Sequence, residues 1–169
     1  MKPSVWTRLD IVARGLAPFA FTLLLVIAGM VPLRIPDLSP IIPSLALIAV
    51  YFWLVHQPDL MPLWAVFLIG LVQDLLGGGP IGVAALALLV VYAAVATQRR
   101  FFTNAPFLLV WSVFMPVAAV AHFLTWVFNC LIIDAFIDPE PAVFQYLTTV
   151  AVYPCLAWLF VQMQRTVLR

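Results

Sequence analysis

Six apolar runs, parted by short breaks rich in proline, glycine or charge, leave this chain few ways to fold. The runs cover roughly residues 16–33, 41–55, 61–76, 81–97, 106–133 and 142–163. A helix needs about 20 apolar residues to cross a bilayer, and fewer where the membrane thins or flanking side chains snorkel. Each break has a physical cause. RIPDLSP (34–40) holds two prolines and two charges, and HQPD (56–59) is a tight polar turn. LGGGP (76–80) cannot continue a helix, QRRFFTN (98–104) is charged and polar, and DAFIDPEP (134–141) is acidic with two prolines. Pro62 and Pro106 stand where helices begin, where a missing N–H costs nothing.

This pattern predicts an all-α integral membrane protein, one membrane domain over residues 1–169 with six transmembrane helices. Composition agrees: 66% of the 169 residues are hydrophobic and 9% charged, against about a quarter charged in soluble domains. A net charge of +1 gives no reason to expect nucleic acid. The only lysine is Lys2, which excludes a phosphate-binding loop of the Walker A type, Schiff-base chemistry and a Ser/Lys dyad within the chain. Cys130 and Cys155 lie in apolar runs without metal-ligand spacing. No HExxH, no paired intramembrane acids and no serine with a nearby base appear, so the expectation is a non-enzyme with no metal and no cofactor.

The basic start (Lys2, Arg8, Arg14) is followed by an apolar run too long for a signal core and by no small-x-small cleavage site. It reads as a retained first span, preceded by an interfacial helix over residues 1–14 in which Val5, Trp6, Leu9 and Val12 alternate with charges. Orientation follows from the cationic residues. With both termini cytoplasmic, seven of them fall inside and only Arg34 outside. Trp6, Trp53, Trp64, Trp111 and Trp158 then form a one-sided inner belt. The inference is a multi-pass membrane protein with short loops and no extramembrane domain. A five-span alternative loses this charge pattern.

Two polar features stand out inside the apolar runs. Asp74 lies near the end of the third run, just before Gly77, Gly78 and Gly79, with Gly82 beyond. A helix C-terminus disfavours a carboxylate, so something must compensate it. Amides of Gly77–Gly79 turned back onto it would make a structural turn; an arginine of a partner protein is the other option. Gly78 and Gly82 also form a GxxxG spacing, interrupted by Pro80. In the fifth run His122, Thr125 and Asn129 share one helical face. That face suits interhelical hydrogen bonding or a small-ligand cavity, opened by kinks at Pro116 and Pro154.

Residues 36–102 resemble the MreD family, the membrane subunit of the bacterial rod-shape machinery. The resemblance rests on a span containing Tyr51-x-Trp53, the turn Gln57-Pro58-Asp59, the segment Gly70-Leu71-x-x-Asp74-x-Leu76, the glycine-rich turn to Ile81-Gly82, and the pair Arg99-Arg100. It implies a fold similar to the six-helix substrate-binding subunits of energy-coupling-factor transporters. It also implies a non-enzymatic role in cell shape and peptidoglycan synthesis, with an MreC-like bitopic protein, a RodA-type glycosyltransferase with its class B penicillin-binding protein, and, indirectly, the MreB cytoskeleton as partners. The alternative on the same architecture is a solute-binding transporter subunit, for which His122, Thr125, Asn129, Gln145 and Tyr146 are the sparse pocket candidates.

Overall fold

Proline and glycine set the ends of the helices. The computed structural model describes residues 18–29, 42–98, 102 and 105–167, and these are all-helical, without a strand. Helix α1 spans Pro18–Gly29 and α2 spans Leu45–His56. A single 3₁₀ turn at Pro58–Leu60 joins α2 to α3, Leu63–Gly77. Then follow α4, Val83–Thr97, α5, Phe107–Ile133, and α6, Glu140–Val167. Pro62 and Pro106 precede α3 and α5 in extended conformation, which fits a residue with fixed φ and no N–H to satisfy. Gly78, at φ 67°, ends α3 in the left-handed region that L side chains avoid. The expected interfacial helix over 1–14, Arg34, and the pair Arg99 and Arg100 lie outside the described residues.

Each of the six apolar runs contains one helix. Helix α5 and the Glu140–Gln162 stretch of α6 are long and apolar enough to cross a bilayer. Helix α2 is different: its 12 residues rise only about 18 Å at 1.5 Å per residue. It is nonetheless the centre of the bundle, with every residue from Ala46 to Leu54 buried. Its sequence is apolar on all sides, as a helix enclosed by other helices requires. Helices α3, α4 and α6 pack around it.

The core is aromatic. Tyr51, Phe52, Trp53, Phe114, Tyr153 and Phe160 are fully buried. Tyr51 stands edge-on to Tyr153 with ring centroids 5.8 Å apart, and Phe114 stacks on Tyr153 at 4.3 Å. The Tyr51 hydroxyl donates to the Val110 carbonyl at 2.9 Å, linking α2 to α5. The outside of the bundle is equally apolar. Leu63 and Trp64 on α3, Leu108 and Leu131 on α5 and Trp158 on α6 are more than half exposed, a surface at odds with water and suited to hydrocarbon or a partner.

Pro116 and Pro154 lie within helices. Pro154 offers no N–H to the carbonyl four residues earlier, that of Val150. The indole N–H of Trp111 donates to that oxygen at 3.2 Å, so the gap in α6 becomes a tie to α5. A second tie holds the start of α2. The buried Thr149 hydroxyl accepts the Ser44 N–H at 2.9 Å and donates to the Gln145 carbonyl at 2.6 Å. The Gln145 side-chain amide donates to the Ile42 carbonyl at 3.4 Å.

Candidate functional site: a capped hairpin and the cavities beside it

Among the described residues helices α3 and α4 pack most closely, and two residues of α3, Gly70 and Asp74, explain it. They are one helical turn apart and share a face. A Cβ built on Gly70 would lie 2.3 Å from the Ala85 Cα and 2.7 Å from its N. Only a glycine lets the α4 backbone come this close. That approach carries the first turn of α4 onto the Asp74 carboxylate. Oδ2 accepts the N–H of Gly82 at 2.8 Å and of Ala85 at 3.3 Å, while Oδ1 accepts the N–H of Ala84 at 2.9 Å.

Asp74 is thus buried near the end of one helix while capping the start of the next. The first four N–H groups of a helix lack intrahelical partners, and the amino end of its dipole favours an anion. Those two effects answer the unfavourable position of a carboxylate in the last turn of α3. The donors are those of Gly82, Ala84 and Ala85, where the sequence suggested Gly77, Gly78 and Gly79. The reason lies in the direction of the turn. Gly77, Gly78 and Gly79 are exposed at the tip, and the chain reverses through Gly78 and through Gly82 at φ 102°. Gly78 and Gly82 therefore serve conformation, not close packing: a Cβ on either would meet nothing within 4 Å. The packing glycine is Gly70, which the sequence offered as part of the Gly70-Leu71-x-x-Asp74-x-Leu76 segment with no sign of what it packs against.

The face of α5 bearing His122, Thr125 and Asn129 is bonded to its own helix. His122 Nδ1 lies 2.8 Å from the Ala118 carbonyl, the Thr125 hydroxyl donates to Ala121 at 2.9 Å, and the Asn129 amide donates to Thr125 at 2.8 Å. The interhelical bonds that the stripe suggested are not the ones these groups make. Back-bonding to the carbonyl four residues earlier gives each side chain a local partner, and all three residues line cavities. A cavity of about 50 Å³ lies between α2, α3, α4, α5 and α6, lined by Ser44, Gln73, His122, Thr125 and Gln145. A second, of about 280 Å³, continues past Asn129 to Asp138. Gln73 and Ser44 carried no signal in the sequence, because their place depends on which helices meet. Asp74 itself does not line these cavities; its neighbour Gln73 does.

Among the described residues no group of three or more His, Cys, Asp or Glu could hold a metal ion. The described residues form an all-helical structure with an apolar exterior, two helices of membrane-crossing length, and a hairpin locked by a buried carboxylate. Its sequence matches the family of rod shape-determining protein MreD over residues 10–165. The chain belongs to the MreD family: it is a rod-shape-determining membrane protein, concerned with cell shape and the cell wall. No curated protein and no solved structure matches it.

Proposed function

We propose that this protein is a non-enzymatic membrane subunit of the bacterial cell-elongation complex. It binds an MreC-like bitopic protein and, with it, a RodA-type glycosyltransferase and its class B penicillin-binding protein, and it reaches the MreB cytoskeleton indirectly. In this reading it crosses the inner membrane six times, with both termini cytoplasmic, in a fold similar to energy-coupling-factor substrate-binding subunits. The observation that carries the proposal is the family match, which covers nearly the whole chain. The physical structure is in keeping with it. A short central helix wrapped by longer ones needs no lipid contact of its own, and the exposed apolar faces of α3, α5 and α6 offer surface to partner helices. Asp74 and the glycine turn then act structurally, by fixing how α3 meets α4.

The test is depletion combined with co-purification. Cells depleted of this protein should lose rod shape, and the tagged protein solubilised from membranes should bring the MreC-like protein and the wall synthase with it. Depleted cells that stay rod-shaped would overturn the proposal. So would a tightly bound vitamin-like solute in place of those partners, which would favour a transporter subunit.

A further inference from the structure

Three cavities meet at one side chain. His122 lines the two polar cavities already described and also an apolar groove of about 410 Å³ between α5 and α6, walled by Phe123, Trp126, Val143 and Tyr146. Trp126 and Ala142 are shared by the groove and the larger polar cavity, and Thr125 and Gln145 by the two polar ones. The groove falls within the size of small-molecule sites, roughly 300–1,000 Å³, and the larger polar cavity adjoins it at about 280 Å³. An apolar slot that runs into a polar chamber matches an amphiphile, with its chain in the slot and its head in the chamber. A water-soluble solute would leave the slot unused.

The chamber also selects the head. A carbonyl can only accept, so the bond from His122 to Ala118 requires the proton on Nδ1, and in the neutral ring that tautomer leaves Nε2 as an acceptor. Thr125 spends its one donor on its own helix and Asn129 one of its two, which leaves the Thr125 oxygen lone pairs and, on Asn129, Oδ1 and a single N–H. The Asp138 carboxylate stands at the chamber wall. Among the described residues no lysine or arginine lines any of the three cavities. A site with a carboxylate, neutral donors and acceptors and no cation disfavours a phosphate and suits a head whose hydroxyls both donate and accept. The geometry points to a binding site, centred on His122, for an uncharged, hydroxyl-bearing lipid whose aliphatic chain lies between Phe123, Trp126, Val143 and Tyr146.

The full chain reconstituted in lipid nanodiscs tests this with two photoreactive probes at low mole fraction. One is a diazirine-bearing monoacylglycerol; the other is a diazirine-bearing phosphatidylglycerol. Labelled peptides are mapped by mass spectrometry. The uncharged probe should label segments 119–126 and 139–146 about tenfold more than the 63–68 segment, which also carries exposed apolar side chains, a preference of about 1.4 kcal/mol. Unlabelled monoolein should compete that labelling away, and Ala142→Trp, which fills the groove, should abolish it in a protein that melts as wild type does. The anionic probe should label all three segments alike. Equal labelling of 63–68 by the uncharged probe would overturn the proposal, and so would the same enrichment with the anionic probe. Competition on the wild-type protein decides the matter even if the tryptophan variant does not fold.

Discussion

Asp74→Asn is the sharpest test of the capped hairpin, because both carboxylate oxygens are in use. If the asparagine oxygen takes the place of Oδ2, it keeps the bonds to Gly82 and Ala85 and sets its NH₂ group against the Ala84 N–H, two donors facing each other at the 2.9 Å now spanned by a hydrogen bond. If it takes the place of Oδ1, two amides lose their acceptor instead. A buried donor left without a partner costs about 1–3 kcal/mol, and loss of the anion at the amino end of α4 adds about 0.3–1 kcal/mol. The expected penalty is therefore about 2 kcal/mol, nearer the low end because the Gly82 side of the turn is open to its surroundings. Asp74→Leu removes every acceptor and should cost about 2–4 kcal/mol. Denaturant or thermal unfolding of the purified protein gives the magnitude. Amide hydrogen exchange gives the location: protection should fall at Ala84 and Ala85 and be kept in α2. Two variants as stable as wild type, with unchanged exchange at the start of α4, would refute the capping argument. A stable Asp74→Asn protein that no longer brings down its MreC-like partner would make this carboxylate a partner contact.

Further outcomes follow from the same geometry. Gly70→Ala places a Cβ against Ala85 backbone atoms and should cost about 1–3 kcal/mol by overpacking; Ala85→Gly should not rescue it, since the clash is with Cα and N, and rescue in a melting experiment would count against the model of close approach. Gly79→Ala, at the exposed tip with nothing near its Cβ, should leave the melting temperature unchanged. Trp111→Phe strands the Val150 carbonyl and should lose about 1 kcal/mol; adding Pro154→Ala restores an N–H to that carbonyl, so the double variant should recover stability in a mutant cycle. For topology, a single cysteine at Asp138, in a background lacking Cys130 and Cys155, should react with an impermeant maleimide in intact spheroplasts, and one at Asp59 should not; the reverse pattern would sink the six-span, both-ends-inside arrangement.

The sequence alone determined where helices can run and where they must stop. Apolar runs of this length leave the backbone no partner but itself in an apolar surround, and Pro62, Pro106, Gly78 and the prolines near Asp138 interrupt it by local covalent chemistry that no tertiary contact needs to supply. It also exposed Asp74 and the His122, Thr125, Asn129 stripe, because polar groups are conspicuous against so apolar a background. What it left open was every question of pairing. Uniformly apolar helices carry almost no periodicity to say which side faces inward, so nothing marked the 12-residue α2 as the one enclosed on all sides from Ala46 to Leu54. Gly70 belongs to a segment the family resemblance picks out, but its packing role shows only when α4 is laid against it. Asp74 reads as a carboxylate at the wrong end of a helix until the next helix brings three amides to it. Ser44, Gln73, His122 and Gln145 come from four different helices or their caps and meet at one cavity. Those relations depend on distances between segments far apart in the chain, and only packing sets such distances.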